Sequence, residues 1–291
     1  VGGYFRSSSI TVGNDINGNP VELTNAYSGS YDGMMIKYDE NGIVEWAQSV
    51  GGSDHNYINS VAGTSDGGYI VGGYFQGNIT VGYDANGTPM ELTNAGSSDG
   101  MIIKFEKIEL NNPVTLQAQS IGGSSNDPIT SVAGTSDGGY IVGGYFSGNI
   151  TVGKDVNGNP VELTNGAPYS GILIKYDENG YIEWAQSING SNDDYINSVE
   201  ETSDGGYIVG GDSLSSRITV GNDINGSPVE LTNALGSSSN GMIIKYNADG
   251  KVEWAKSIGG SSSDQINSVA GTSDGGYIVG GDFSSSSITV G

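Results

Sequence analysis

The sequence predicts an all-β repeat protein, and three observations support this fold class. The decapeptide TSDGGYIVGG starts at Thr64 and returns at Thr135, Thr202 and Thr272, so one unit recurs at intervals of 71, 67 and 70 residues. In each copy, β-forming residues flank an Asp-Gly-Gly turn, which is typical of a β-hairpin. No segment combines helical periodicity with helix caps, and the 50 glycines disfavour helices generally.

Each unit contains four predicted strands, A to D. In the best-defined copies, strand A covers residues 58–64, strand B 69–75, strand C 33–39 and strand D 44–50. Strand C is apolar on both faces, as expected of a strand between other layers, whereas strand D alternates and is more exposed. The Asp-Gly-Gly turn joins A to B, and a turn such as Asn41-Gly42 joins C to D, so both pairs are predicted hairpins.

A further hairpin is predicted between strands B and C. In the second unit it falls within residues 76–99, and it lengthens each unit to about 70 residues from the ~40–45 residues of an ordinary propeller blade. Four antiparallel strands per repeat, apolar in the middle, predict a β-propeller built from ~70-residue four-stranded blades, each with an extra β-hairpin inserted between strands B and C.

One array is expected to fill the whole chain, 1–291, with units 1–70, 71–141, 142–208 and 209–278 and a partial fifth unit, 279–291. Segments 1–13 and 279–291 are copies of one another, so they would compete for one place in a closed four-blade ring. We therefore expect a piece of a longer propeller, with further blades of the same chain or other copies of it covering the ends.

The run GMIIKYNADGKVEWAKSIGGSSSDQINSVAGTSDGGYIVGG, residues 241–281, resembles the bacterial β-propeller repeats known as SBBP. The resemblance covers strands A to D of every unit and excludes the B–C insertion. It implies a propeller in a secreted or cell-surface bacterial protein, often a multidomain one. It implies no particular activity, because these repeats are recognised as scaffold.

Composition excludes several functions. The formal net charge of −23 disfavours nucleic acid and anionic lipid as partners, and it suits cations or neutral ligands such as glycans. The absence of cysteine rules out disulfides, thiol nucleophiles and zinc-thiolate sites. No apolar run approaches the ~20 residues of a membrane span, so membrane insertion is not expected.

The insertion loops share an Asp-x-Asn-Gly pattern that supports two interpretations. Oxygens at every second residue resemble the start of a calcium loop, whereas Asp and Asn also bond the backbone of tight turns, with Gly at the left-handed corner. The turn is favoured because no loop supplies a third carboxylate at the usual spacing. The candidate calcium ligands are Asp15, Asn17, Asp84, Asn86, Asp155, Asn157, Asp223 and Asn225.

The D–A loops and the tyrosines are the other candidates. An acid or amide recurs at one aligned D–A position, where a cap for strand A is the favoured role: Asn56, Asp127, Asp194 and Asp264. His55, the single histidine, is expected to be a solvated loop residue. Tyrosines at four positions could line a glycan-binding surface, although packing between blades is the commoner role of such residues: Tyr4, Tyr57, Tyr74 and Tyr145.

Three structural expectations concern strands B, C and D. The Gly-Gly pairs of strand B, such as Gly72-Gly73, are expected to make room for a tryptophan of the Trp46 series on an adjacent blade. Lys37 of strand C is expected to face Trp46 if the C–D turn has two residues, and Glu45 if it is one residue longer. The second unit has a longer C–D connection, residues 105–113, which predicts a locally irregular outer edge.

Repetition without catalytic asymmetry predicts a non-catalytic structural, scaffold or adhesion module of a bacterial surface or secreted protein. The alternative is a lectin-like propeller with weak, repeated glycan sites, which calcium would assist if the loops bind it. Its partners would be glycans or a host or cell-surface protein. An enzyme is the third hypothesis, and we expect neither a catalytic residue nor a tightly bound cofactor.

Overall fold

The computed structural model describes residues 1–106, 114–233 and 238–290, and these residues form β-sheets without an α-helix, antiparallel except for the short parallel pairing of β10 with β12. None of their segments is a helix of the length and apolarity that crossing a membrane requires. The strands, in chain order, are β1 (Gly2–Phe5), β2 (Ser9–Asn14), β3 (Pro20–Thr24), β4 (Asp32–Tyr38), β5 (Val44–Gly52), β6 (Asn56–Gly63), β7 (Tyr69–Phe75), β8 (Ile79–Tyr83), β9 (Pro89–Leu92), β10 (Ser98–Phe105), β11 (Thr115–Ile121), β12 (Asn126–Asp127), β13 (Ile129–Gly134), β14 (Tyr140–Phe146), β15 (Asn149–Lys154), β16 (Pro160–Thr164), β17 (Ser170–Tyr176), β18 (Ile182–Ile188), β19 (Asp194–Glu201), β20 (Tyr207–Ser213), β21 (Arg217–Asn222), β22 (Pro228–Thr232), β23 (Asn240–Tyr246), β24 (Val252–Gly259), β25 (Asp264–Gly271), β26 (Tyr277–Phe283) and β27 (Thr289–Val290).

The repeats form consecutive sheets with the strand order A-B-C-D. Three sheets contain all four strands: β6-β7-β10-β11, β13-β14-β17-β18 and β19-β20-β23-β24. The first sheet contributes B, C and D as β1-β4-β5, and β25-β26 forms an A–B hairpin at the other end. The predicted A–B and C–D hairpins are therefore correct, and the whole arrangement is consistent with a β-propeller-like fold.

The Asp-Gly-Gly motif forms its hairpin through local hydrogen bonds. The Thr64 hydroxyl donates to the Asp66 carboxylate, which also accepts the Gly68 N–H at 3.0 Å. Gly67 has a φ of +85°, a conformation that favours glycine. The motif recurs because the same side-chain bonds close every A–B turn.

The Gly-Gly pairs accommodate strand A rather than a tryptophan. A Cβ at Gly72 would lie 2.8 Å from Cγ2 of Ile129 on the next sheet, and a Cβ at Gly73 would lie 1.9 Å from the Tyr57 carbonyl oxygen of its own sheet. The expectation for Trp46 is thus wrong. Its ring centroid lies 5.9 Å from that of Tyr69, at the turn end of the next sheet.

The contact between sheets is repeated in kind along the chain. Gly2, Gly72, Gly143 and Gly210 each lie against an isoleucine of the following strand A, namely Ile58, Ile129, Ile196 and Ile266. Strand A also carries a serine whose hydroxyl accepts a backbone N–H from the next strand A, at 3.1 Å in each case: Ser60 from Val132, Ser131 from Val199 and Ser198 from Val269. The apolar contact therefore recurs at all four interfaces, and the serine hydrogen bond recurs at the last three.

The segment between strands B and C forms a small hairpin that packs between neighbouring D strands in the later repeats and against β5 in the first. The four hairpins are β2–β3, β8–β9, β15–β16 and β21–β22. Strand β8 pairs with the end of β5 through Gly51 and Gly52, while the Gln48 amide donates to the Val81 carbonyl at 2.9 Å. Three of the four hairpins bury their central valine completely, namely Val81, Val152 and Val220, whereas Val12 of the first hairpin is partly buried.

A β-bulge in strand D reconciles the two expectations for the strand C lysine. Lys37 pairs with Trp46, and Tyr38 then pairs with Val44, so Glu45 is an extra residue on the same side of the ladder. Lys37 consequently faces Trp46 in register and forms an ion pair with Glu45. The irregular connection predicted for the second unit falls mainly on residues 107–113, outside the described residues.

Candidate functional site: a tyrosine surface

Seven tyrosines gather at the end of the array where the B–C and D–A connections emerge. They occupy the end of strand B, the start of strand A and the residue before strand C, and we call them the tyrosine surface: Tyr4, Tyr31, Tyr57, Tyr74, Tyr145, Tyr169 and Tyr195. Tyr4 is 51% exposed and the other six are half-buried. Because all three strand positions lie at one end of the sheets, residues far apart in sequence meet there.

The rings contact one another in two groups. Tyr57 lies at the centre of the first group, with centroid distances of 4.7 Å to Tyr4 and 4.6 Å to Tyr74, the latter pair being stacked. In the second group, Tyr145 lies 4.7 Å from Tyr195 and forms an edge contact with it. These distances are typical of favourable aromatic pairs.

Burial raises the pKa of several phenol groups of this surface. Burial, together with the neighbouring phenols of Tyr57 and Tyr145, raises the pKa of Tyr74 to about 12. Burial also raises the pKa of Tyr145 and Tyr57. Tyr57, Tyr74 and Tyr145 therefore offer neutral hydroxyls that can both donate and accept hydrogen bonds beside apolar ring faces.

His55 and Arg6 belong to the first group, which corrects the expectation that His55 is merely solvated. Its Nδ1 accepts the Tyr31 backbone N–H at 3.1 Å, and its ring lies 5.3 Å from that of Tyr31. The Arg6 guanidinium carbon lies 5.7 Å from the centroid of Tyr31. The histidine thus positions the B–C connection.

The surface changes character along the chain. The residue after Gly-Gly is Tyr4, Tyr74 and Tyr145 in the first three copies, and then Asp212 and Asp282. Asp212 accepts hydrogen bonds from the Asn197 amide at 2.9 Å and the Ser239 hydroxyl at 2.7 Å. Sequence reasoning missed this asymmetry and the contributions of Tyr31, Tyr169 and Tyr195, although the residue following each Gly-Gly pair carried the signal.

The insertion-loop aspartates bond the backbone of their own turns. The Asp15 carboxylate accepts N–H groups from Asn17 at 2.9 Å and Asn19 at 2.8 Å, and Asp84, Asp155 and Asp223 do the same in their loops. These bonds lower the pKa of all four carboxyls. Asn17, Asn86, Asn157 and Asn225 each contribute a backbone donor to that turn, so the geometry is that of turn chemistry, and calcium binding stays the untested alternative.

Of the four D–A residues, three buried aspartates hold their loops by accepting hydrogen bonds, whereas the Asn56 amide donates to the Asp54 carbonyl at 2.8 Å. Asp194 accepts the Gly190 N–H at 2.7 Å and the Ser213 hydroxyl at 2.5 Å, joining the loop to the end of strand B. Asp264 and Asp127 make the corresponding bonds to Gly260 and Gly123. Burial raises the pKa of Asp127 and Asp194 to about 6. These residues hold the loops that frame the tyrosine surface.

Within residues 1–106, 114–233 and 238–290, no group of three or more His, Cys, Asp or Glu side chains is placed to hold a metal ion. The tyrosine surface combines ring faces with phenol hydroxyls, and the acids Asp193 and Asp212 lie beside its edge at Tyr195. Such a set can stack against and hydrogen-bond a neutral polar ligand.

No family model matches the chain. The sequence is 26% identical over 184 residues to an uncharacterized WD repeat-containing protein of Acanthamoeba polyphaga mimivirus. This match covers 60% of the chain and 12% of the relative's length. WD repeats are β-propeller repeats, so the similarity and the all-β sheets together indicate a β-propeller-like repeat protein. The more specific resemblance to SBBP repeats stays a prediction.

Proposed function

We propose that this chain is a non-catalytic β-propeller-like module that serves as a scaffold or adhesion platform in a secreted or cell-surface protein. In this proposal each ~70-residue repeat is one blade, and the B–C hairpin is an insertion that fills the widening space between neighbouring D strands. The observation that carries the proposal is the recurrence of one interface, in which a glycine of strand B contacts an isoleucine of the next strand A. A rigid array built in this way is suited to presenting loops.

The experiment for this proposal is a broad hydrolase and transferase screen of the purified chain. The proposal expects no turnover above that of a heat-denatured sample. Turnover that is abolished by a single substitution at a surface residue, with folding intact by circular dichroism, would show that the chain is an enzyme and would contradict the proposal.

A second candidate function is the binding of neutral glycans at the tyrosine surface. It is favoured by the clustering of seven half-exposed tyrosines on one end and by a net charge that repels anionic ligands. Sugars pack their apolar C–H faces on aromatic rings and pair their hydroxyls with phenols and acids, and both groups are present here.

A glycan array with matched variants tests this second function. Tyr145→Asp is a suitable change, because Asp212 occupies the aligned position in the next repeat. Tyr181→Ser alters a tyrosine that is 40% exposed at a C–D turn, away from the surface. Binding that is lost in Tyr145→Asp and kept in Tyr181→Ser would support the glycan site, whereas equal binding by the two variants, or no binding on broad arrays, would remove it.

A further inference from the structure

The outer edge of β5 lies in an open cleft between two inserted hairpins. The cleft has a volume of about 780 Å³. One wall is strand β3, with Glu22, Leu23 and Thr24. The other wall is β8 and the turn after it, with Tyr83 and Asp84. The floor includes Ala47, Gln48 and Ser49 of β5. The cleft is on the outside of the array and is separate from the tyrosine surface.

Part of the edge of β5 in this cleft has backbone N–H and C=O groups that no strand of the described residues pairs with. One edge of β5 pairs with β4 from Val44 to Val50. Among the described residues, the other edge pairs only through Gly51 and Gly52, with β8. From Glu45 to Val50 the outward N–H and C=O groups therefore have no strand partner in the part of the chain that the structure describes. Such an edge is a template for another extended segment.

The walls of the cleft are acidic. The Glu22 side chain is exposed, and the hydrogen bond from the Thr88 N–H, with that from Asn86, lowers the pKa of Asp84, so this carboxylate is ionised at neutral pH. The described residues that line the cleft include neither lysine nor arginine. An occupant that neutralises both walls must carry positive charge on both sides.

The other D strands differ in the chemistry of their walls. Tyr83 is 57% exposed at the rim beside β5. The aligned residue beside β11 is Lys154, which would repel a cation, and that beside β18 is Asn222. Of these three described edges, the one at β5 combines an aromatic rim with two acidic walls free of basic residues.

From this juxtaposition we propose that the β5 cleft binds an extended, lysine- or arginine-containing polypeptide segment as an added antiparallel or parallel strand. Main-chain hydrogen bonds to the edge of β5 supply the affinity, and the walls select cationic side chains that alternate to either side of the added strand. The partner is therefore a basic peptide segment rather than a folded surface.

The test uses a fluorescein-labelled hexapeptide, Lys-Thr-Val-Lys-Thr-Val, whose two lysines point to opposite sides of a strand. A matched peptide carries N-methyl groups on every peptide-bond nitrogen, which removes the hydrogen-bond donors from both edges of the strand and keeps the charge. By fluorescence anisotropy on the full chain, we expect the unmodified peptide to bind at least about tenfold more tightly than the N-methylated one. Hydrogen exchange should slow at residues 45–50 when the unmodified peptide is added.

Two protein variants distinguish peptide binding in the cleft from nonspecific attraction of the peptide to the acidic chain. Glu22→Lys places a cation in the cleft wall, whereas Glu40→Lys makes the same charge change at an exposed C–D turn. We expect Glu22→Lys to weaken binding about tenfold and Glu40→Lys to leave it within about twofold. Equal binding of the two peptides, equal effects of the two variants, or protection outside β5 would overturn the proposal. Protection of β5 by neutral oligosaccharides and not by the hexapeptide would overturn it in favour of a glycan groove.

Discussion

The hydroxyl of Tyr176 donates a hydrogen bond to the carbonyl of Val152 at 2.6 Å, and both residues are fully buried. Tyr176 ends strand C, whereas Val152 is the centre of the inserted hairpin in the same repeat. The Gln119 amide of the preceding strand D donates to the same carbonyl. The hairpin is thereby fixed to two successive sheets through one oxygen atom, which makes it part of the packing between repeats.

Removing this hydroxyl should loosen the hairpin without disturbing its shape. Phe105 occupies the position of Tyr176 in the second repeat, so Tyr176→Phe fits. We expect a loss of about 1 kcal/mol in the free energy of unfolding, because the Val152 carbonyl keeps only one donor. Urea denaturation measures the loss, and hydrogen exchange should accelerate in β15 and β16. An unchanged midpoint with unchanged exchange would show that the bond contributes nothing.

Two substitutions in an insertion loop distinguish an aspartate that stabilises its own turn from one that binds calcium. Asp155→Ala removes the acceptor of two backbone N–H groups, so we expect a lower unfolding midpoint, by the same amount with and without chelator. Asn157→Ala keeps its backbone donor and should be nearly neutral. Calorimetry at millimolar calcium should show no heat that depends on either residue. Heat that both substitutions abolish, with a melting temperature that chelator lowers, would establish a cation site instead.

Asp127 should make the free energy of unfolding depend on pH, with a sign that follows from its raised pKa. Its pKa, raised to about 6 mainly by burial and also by the Asp99 charge, exceeds the ordinary value of 3.8. The folded state therefore holds the proton more tightly, and this contribution to stability is present below about pH 4 and is lost as the pH rises through about 6. Asp127→Asn should flatten the stability profile in that interval, measured by urea denaturation at a series of pH values.

The aligned residue Asp264 is the control for this pH effect. Hydrogen bonds from Ser285, Gly260 and Ser284 outweigh its burial, and its pKa is lowered. Its contribution to stability is lost only as the pH falls through that lowered pKa, so Asp264→Asn should leave the slope between about pH 4 and about pH 6 unchanged. Identical profiles for the two variants in that interval would contradict the assignment to Asp127.

The sequence predicted the hairpin pairings well because they depend on local chemistry. Strand B was placed at residues 69–75, the bounds of β7, and the turn motifs set the pairing of A with B and of C with D. Strand D was predicted to end at Val50, but β5 continues to Gly52, because Gly51 and Gly52 find partners on β8. That extension depends on a neighbouring repeat, which a local pattern does not encode.

Contacts between repeats were harder to predict for the same reason. Trp46 was chosen as the partner of the Gly-Gly pair on size alone, whereas the stacking of the sheets brings the smaller Ile129 to Gly72. The bulge at Glu45 put Lys37 opposite two residues at once, a case that simple turn counting did not include. The tyrosine surface likewise arises from three strand positions that come together only when the sheets stack.

A glycine of strand B and an isoleucine of the next strand A form the interface that builds the array. The Gly143–Ile196 pair tests it most directly, because a Cβ at Gly143 would lie 2.7 Å from Cγ2 of Ile196. Gly280, whose Cβ position has nothing within 4 Å, is the matched control glycine. Gly280→Ala should change stability by less than about 0.5 kcal/mol.

The decisive measurement is a double-mutant cycle of unfolding free energies for Gly143→Ala and Ile196→Ala. Alone, we expect Gly143→Ala to cost about 1–3 kcal/mol by overpacking and Ile196→Ala about 2–5 kcal/mol by leaving a cavity. Together they should cost at least about 1 kcal/mol less than the sum, because the new methyl group occupies space that the isoleucine vacates. Strict additivity, or a Gly143→Ala variant as stable as Gly280→Ala, would contradict the proposed interface.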